Sequence, residues 1–151
     1  MGIKSRGFTI VELLIVIVII AILAAITIVA YNGIQNRAKT SAGQSAANSL
    51  VKKFEAINAV KGVYYTSSTG VAGAAINTYA NTAPTATEAV IDNPSNVIAA
   101  TNATTANLTA STASNGNVVS AFVCAGGANV WYWDYTAASS NATLVKAGAG
   151  C

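Results

Sequence analysis

The feature that most constrains this chain is a long uncharged run near its amino terminus. No formally charged side chain occurs between Glu12 and Arg37, and residues 13–30 are apolar except for Thr27. At about 1.5 Å of rise per residue, a helix over residues 8–31 would be roughly 36 Å long, slightly more than the hydrocarbon thickness of a bilayer, about 30 Å. The run therefore predicts a membrane-spanning helix.

A secretory signal peptide is the first alternative for this run. The hydrophobic part of such a peptide would be shorter and would end at a small-residue cleavage site. No Ala-x-Ala occurs here, residues 25–27 being only a marginal match, and no cysteine that could take a lipid directly follows the run. We therefore expect the apolar segment to remain in the mature chain.

Charge is scarce in the whole chain, and this excludes several functional classes. Only 9% of the 151 residues are charged, histidine is absent, and eight basic against five acidic side chains give a net charge of +3. Without histidine there is no Ser-His-Asp site and no histidine metal site, and the scattered acids form no acid–base pair. No basic stripe indicates nucleic-acid binding. The sequence predicts a protein that is not an enzyme and uses no cofactor or metal.

A glutamate at the edge of the apolar run needs a partner. An ionisable side chain costs on the order of 2.5 to 3.5 kcal/mol at a bilayer centre, and somewhat less near the end of a span. The short basic segment 1–7 ends in Gly7, directly before Phe8. If the chain were cut after Gly7, the new amine of Phe8 would lie one helical turn from Glu12, and the same amine on a neighbouring copy could also serve.

The string GFTIVELLIVIVIIAILAAI at residues 7–26 resembles the class III signal and amino-terminal helix of type IV pilins and of their relatives, the type II secretion pseudopilins and competence pilins. The resemblance implies that a prepilin peptidase cuts after Gly7 and methylates Phe8. It also implies that Glu12 pairs with the terminal amine of an adjacent subunit during filament assembly. A signal-anchored protein whose Glu12 merely sits at the membrane interface is the alternative, but it leaves the Gly-Phe-Thr-x-x-Glu arrangement unexplained.

The same resemblance implies where the protein works and with what. The leader is expected in the cytoplasm and the carboxy-terminal body outside it, so that the precursor is a single-pass protein of the cytoplasmic (inner) membrane and the assembled product an extracellular pilus. The implied partners are further copies of the chain in a helical homopolymer, the prepilin peptidase and methylase, and assembly machinery with cytoplasmic ATPases.

The helix is expected to continue beyond the membrane and to end at Gly62. Apolar residues recur at spacings of three and four over the polar second half, which predicts one amphipathic face; they are Ile34, Ala38, Ala42, Ala46, Leu50, Phe54 and Ile57. Lys52, Lys53 and Lys61 flank Glu55 as a solvated face, with a binding patch as the alternative. We therefore divide the chain into a leader (1–7), a transmembrane and filament-core helix (8–31), an amphipathic half (32–61) and a head (62–151).

The last third of the chain predicts an antiparallel meander. Its β-rich runs are Val118–Cys124, Asn129–Thr136 and Ala142–Lys146, the first two joined by Ala125–Ala128. With the helix over about residues 8–60, this gives an α+β protein. The resemblance implies the type IV pilin fold, in which the helix packs its carboxy-terminal half against a small antiparallel sheet. Upstream, residues 63–66 suggest a short strand and residues 88–92 a helical turn. Three N-x-S/T sequons, at Asn102, Asn107 and Asn141, are expected as chance matches in an Asn/Thr-rich chain.

In the middle run of the meander, alternate residues face opposite sides of the sheet. Trp131, Trp133 and Tyr135 share one side, and Val130, Tyr132 and Asp134 share the other. An exposed aromatic platform for sugar or surface adhesion is one interpretation. The interpretation we favour is that one face covers the helix stripe and the other is partly exposed sheet or subunit interface.

Cys124 and Cys151 are the only cysteines in the chain. A bond between them would close a loop of about 28 residues, for which the chain-entropy treatment gives roughly 3.6 kcal/mol, and it would require an oxidising compartment. Free thiols and intermolecular pairing are the alternatives. The resemblance implies that residues 124–151 correspond to the disulfide-bounded carboxy-terminal region of many pilins.

These observations predict the structural subunit of a type IV pilus-like filament, a class of fimbrium. A minor pilin, or a pseudopilin of a type II secretion or competence system, is the alternative within the family. A signal-anchored monomeric surface adhesin is the alternative from a different class. Cell adhesion, twitching motility, DNA uptake and secretion are not separated by the sequence.

Overall fold

The structure, a computed structural model, describes residues 7–64, 93–109, 117–137 and 142–151. In chain order its elements are the helix α1 (Ile10–Lys61), a 3₁₀ turn (Pro94–Asn96) and the strands β1 (Val97–Ala99), β2 (Val119–Cys124), β3 (Gly127–Trp133) and β4 (Ala142–Gly148). The chain divides into two compact units, one up to Gln35 and one from Asn36 onward. A long helix with a four-stranded sheet is the α+β architecture that the sequence predicts.

The first unit is the amino-terminal part of α1, whose residues have no apolar contacts that bury them. Its large hydrophobic side chains from Phe8 to Tyr31 are between 47% and 86% exposed. Many of these residues are Ile and Val, which favour strands in water because branching at Cβ restricts their side chains in a helix. In an apolar solvent the helix is nonetheless the more stable conformation, because it satisfies its backbone hydrogen bonds within one segment.

The second unit begins within α1 and contains the sheet. The helix ends at Lys61, where Gly62 adopts a left-handed backbone conformation with φ of 72°. The Gly62 N–H donates to the Asn58 carbonyl at 2.8 Å, which satisfies one of the terminal carbonyls of the helix. Glycine reaches this conformation without the steric penalty of a side chain, so the predicted stop at Gly62 has a local cause.

The sheet is mixed, with strand order β1-β2-β3-β4. Strands β2, β3 and β4 form the predicted antiparallel meander, whereas β1 pairs with β2 in parallel. The expectation of a purely antiparallel sheet is therefore wrong at this edge. With only three residues, β1 is too short for an alternating pattern to emerge from its Ala- and Asn-rich surroundings.

The hairpin between β2 and β3 is tighter than the sequence suggests. Its turn contains only Ala125 and Gly126, and Cys124 pairs with Gly127. A side chain at Gly127 would collide with the Ala147 carbonyl oxygen and would approach the Gly150 nitrogen to 2.7 Å. Glycine is required here because the end of the chain passes directly over this turn.

One face of the sheet packs against α1. The helix buries Gly43, Ala47, Leu50, Phe54 and Ile57. The prediction of the stripe is confirmed from Ala46 onward, since Ala46 is partly buried against the core, but Ala38 and Ala42 are exposed. Successive steps of four residues drift by about 40° each around a helix of 3.6 residues per turn, so a stripe traced back from Leu50 in fours leaves the buried face. Ile34 belongs to the first unit and is 66% exposed.

The other face of the sheet is covered by the segment that follows β1. Trp131 is only 4% exposed and packs with Ala100 and Leu108, while Trp133 lies at the margin of this cluster. The alternation predicted for β3 is confirmed, because Val130 and Tyr132 belong to the core beneath α1. An open aromatic platform is wrong for Trp131, which residues 100–108 cover.

Some expectations fall on parts of the chain that the structure leaves undescribed. The predicted helical turn at 88–92 and the sequon at Asn141 lie outside the described residues. Of the strand predicted at 63–66, Val63 and Tyr64 are described, and they are not in a strand.

Candidate processing and assembly site

The predicted cleavage position lies just before α1. Gly7, Phe8 and Thr9 precede the helix, which begins at Ile10. Phe8 is 86% exposed, and no atom of the described residues lies within 4 Å of the position that a Cβ on Gly7 would occupy. The Gly7–Phe8 peptide bond is therefore in an exposed, non-helical segment, and the fold of this chain places no steric demand for glycine on its amino side.

Thr9 and Glu12 form a capping box at the start of α1. The Thr9 N–H and the Thr9 hydroxyl donate to Glu12 Oε2 at 2.9 and 2.7 Å. In return, the Glu12 N–H donates to Thr9 Oγ1 at 3.2 Å. This reciprocal arrangement satisfies backbone donors that have no partner within the helix. Thr9 is a site residue that our sequence reasoning missed, although the Thr-x-x-Glu spacing was the signal for it.

Among the described residues, the hydrogen bonds to the Glu12 carboxylate all go to Oε2, and none goes to Oε1. No Lys or Arg occurs between Gly7 and Asn36. A countercharge for Oε1 therefore has to come from outside this part of the helix. Phe8 is four positions before Glu12 in sequence, and it lies in the non-helical segment that precedes α1.

The segment that follows Glu12 has the properties of a membrane span. Among the described residues, α1 is the one helix long and apolar enough to cross a bilayer, and its most apolar window is fully exposed. Tyr31 marks the end of this surface, where its hydroxyl accepts a hydrogen bond from Gln35 Nε2 at 2.6 Å. Tyrosine with an adjacent polar group is typical of the boundary between lipid and water.

In the second unit, the end of the chain is fixed to the hairpin. Cys124 and Cys151 form a disulfide with their Cα atoms 5.9 Å apart. The buried Asn129 supports it, because Asn129 Oδ1 accepts from the Cys151 N–H at 3.0 Å and Nδ2 donates to the Ala103 carbonyl at 2.7 Å. This one side chain thus connects the carboxy terminus to the segment covering the sheet. No local pattern in the sequence pointed to Asn129.

Glu55 joins α1 to the sheet, although its neighbours in sequence suggested a solvated face. Its Oε1 accepts from the Gly148 N–H at 2.7 Å, and its Oε2 accepts from the Tyr64 hydroxyl at 2.9 Å. The pKa of Tyr64 is raised by burial, and also by the hydrogen bond to Glu55 and the negative charge of that carboxylate. Gly148 is 93 positions away from Glu55, so sequence spacing gives no indication of the contact.

A second polar cluster joins α1 to the end of β3. The Thr40 hydroxyl donates to Asp134 Oδ1 at 3.2 Å and accepts from the Tyr135 N–H at 2.9 Å. Lys39 Nζ lies 5.4 Å from the centre of the Tyr135 ring. The hydroxyl and the N–H of Thr136 both donate to Asp134, and these bonds are the main cause of its lowered pKa.

Comparison with known proteins supports this description of the amino terminus. Residues 3–28 match the family model described as the prokaryotic N-terminal methylation motif. No solved structure matches the chain. The matched residues include Gly7, Phe8 and Glu12, and the motif points to a structural protein rather than an enzyme. This motif, an apolar amino-terminal helix that fits a membrane-anchored precursor and the α+β architecture are together consistent with a type IV pilin-like protein.

Proposed function

We propose that this protein is a structural subunit of a type IV pilus-like filament. The observation that carries the proposal is the apolar surface of α1 from Phe8 to Tyr31, which is exposed along its whole length and has the methylation motif at its start. Such a surface needs either lipid or the same surface of neighbouring helices around it. A filament subunit meets both in succession, because lipid surrounds the helix before assembly and a bundle of helices surrounds it afterwards.

The hydrophobic effect contributes little to the free energy of transferring the helix from the membrane to the filament. Lipid tails are about as apolar as Leu and Ile side chains, so packing and polar contacts direct helix association in a membrane. A filament also requires a head-to-tail contact that does not close on itself. An exposed helix that fits beside the equivalent helices of other subunits meets this requirement.

Glu12 supplies the polar contact that sets the register of the subunits. Cleavage after Gly7 would create an amine on Phe8, which the peptidase would then methylate. The capping box occupies Oε2 of Glu12 and leaves Oε1 for the amine of an adjacent subunit. Two opposite charges in an apolar helix bundle attract strongly because the surroundings screen them little.

The remaining roles follow from the same proposal. The precursor spans the cytoplasmic membrane once, is processed by a prepilin peptidase and methylase, and is assembled by machinery that includes cytoplasmic ATPases. The head is exported, consistent with a disulfide between Cys124 and Cys151, which persists in oxidising compartments. The filament itself is extracellular.

The test compares filaments from cells that express the natural chain with those from cells that express Glu12→Val. We expect the variant to insert into the membrane in normal amount but to give few or no filaments in the sheared extracellular fraction seen by electron microscopy. Thr27→Val, which changes another polar residue of the same helix, is the matched control and should assemble normally. Abundant normal filaments from Glu12→Val would contradict the pairing role, and a sheared fraction without filaments from the natural chain would favour a monomeric adhesin.

A further inference from the structure

A cleft of about 360 Å³ lies on the face of the sheet opposite α1. Trp131 and Trp133 of β3 line one part of it, and Thr104, Thr105 and Leu108 line another. Its volume lies in the range that small-molecule sites in proteins commonly have. Neither the methylation motif nor the assembly of helices accounts for this cleft.

The threonine side of the cleft is held in place by Asn102. Asn102 Oδ1 accepts from the Thr104 N–H and hydroxyl, both at 2.9 Å, and from the Thr105 N–H at 2.8 Å. The Thr104 hydroxyl uses its hydrogen in this contact, so its lone pairs can still accept. The Thr105 hydroxyl has no hydrogen bond to any described residue, and a hydroxyl can act as both donor and acceptor. A wall that is already ordered loses little conformational entropy when a ligand binds.

The aromatic side of the cleft offers flat apolar surface. Trp131 is almost completely buried and forms the floor, whereas Trp133, at the end of β3, is only partly buried. None of the described residues that line the cleft carries a charge. A phosphate, carboxylate or ammonium ligand would therefore lose its hydration without gaining an opposite charge.

We propose that this cleft binds one ring of a neutral saccharide. A sugar ring has an apolar face of C–H groups, which suits the partly exposed Trp133, and hydroxyl groups at its edge, which suit Thr104 and Thr105. The proposal adds adhesion to glycans to the structural role. Because a filament would repeat the cleft in every subunit, weak binding by one copy becomes strong attachment by many.

The test uses the full-length chain in a detergent without a sugar headgroup, so that the detergent does not compete. The probes are the methyl glycosides of glucose, galactose, mannose and N-acetylglucosamine, with N-acetylneuraminic acid as the charged comparison. Saturation-transfer NMR measures binding. We expect at least one neutral glycoside to bind saturably, and more tightly than the charged sugar. Failure of all four to saturate at tens of millimolar would overturn the proposal.

Two variants assign the binding to the cleft. Thr105→Val removes one hydroxyl at nearly constant volume and should weaken binding about threefold to tenfold, the loss of one hydrogen bond. Trp133→Leu removes the stacking surface and should weaken binding by at least about tenfold. Thr143→Val, on an exposed position of β4 that pairs with Tyr132 and faces away from the cleft, is the matched control and should bind as the natural chain does.

These measurements also distinguish a loss of saccharide binding from misfolding and from a failure to form filaments. Circular dichroism checks that each variant is folded. If Trp133→Leu does not fold, the affinity of Thr105→Val alone tests the proposal. Equal affinity of Thr105→Val and Thr143→Val would overturn the proposal. Because binding is measured on unassembled protein, a failure to form filaments would leave this result unaffected.

Discussion

Removing the disulfide between Cys124 and Cys151 should destabilise the head by an amount that the loop length determines. The two cysteines are 27 positions apart, and the bond limits the freedom of the unfolded chain between them. For a loop of about 28 residues the chain-entropy treatment gives roughly 3.6 kcal/mol. This is a large part of the total stability of a typical domain, about 5 to 15 kcal/mol.

The folded state should tolerate the change, because other contacts hold the end of the chain. The Cys151 N–H would still donate to Asn129, and the Ala149 N–H to the Gly126 carbonyl. The loss should therefore appear as lower stability of an otherwise native head. The cleanest perturbation is Cys124→Ser together with Cys151→Ser, supplemented by chemical reduction of the natural chain.

Urea unfolding of the full-length chain in micelles measures the effect. Trp131 and Trp133 are the only tryptophans in the chain, and both belong to β3, so their fluorescence reports on the head alone. With a urea dependence of about 1 to 3 kcal/mol per molar, a loss of roughly 3.6 kcal/mol lowers the midpoint by about 1 to 3.5 M. Ala149→Ser introduces a hydroxyl beside Cys151 without touching the bond and should leave the midpoint unchanged. A double variant that unfolds at the same urea concentration as the natural chain would refute the reasoning.

Three further changes test other parts of the molecule. Gly7→Trp should block maturation without changing the unfolding midpoint, since no described residue lies close to a side chain at this position; the mass of the product shows whether the leader remains. Phe54→Ala should cost about 3 to 5 kcal/mol in urea unfolding, because Phe54 is completely buried between α1 and the sheet, whereas Val60→Ala, at an exposed position of the same helix, should cost far less. Raising the pH above about 10 should destabilise the head. The raised pKa of Tyr64 means that its contribution is complete below the pKa of the unfolded chain and is lost as the pH rises through the folded value. In Tyr64→Phe this part of the pH dependence should be absent.

Elements with strong local signals could be predicted from the sequence. The long helix follows from an uninterrupted apolar run and its end from Gly62, and β2 to β4 follow from β-rich runs separated by turn residues. The capping box of Thr9 and Glu12 could also have been predicted, since its Thr-x-x-Glu spacing is local. These features depend on residues within a few positions of one another.

Features that depend on distant residues could not be predicted. The contact between Glu55 and Gly148, and those of Asn129 with both Ala103 and Cys151, exist only because the sheet brings separate segments together. The buried helix face was predicted wrongly before Ala46 for a similar reason, because small residues at several spacings make equally good stripes until the sheet selects one. Sequence patterns limit the helix faces that could be buried, and packing against the sheet selects one of them.

The most direct test of the proposed function is the intact mass of the subunit isolated from sheared filaments, measured with and without reductant. We predict a chain that begins at Phe8, carries one added methyl group and gains two hydrogens on reduction as Cys124 and Cys151 separate. A mass that still includes residues 1–7 would contradict processing at Gly7. Recovery of the chain only from the cell-bound fraction, with no filament to shear, would contradict its role as a filament subunit.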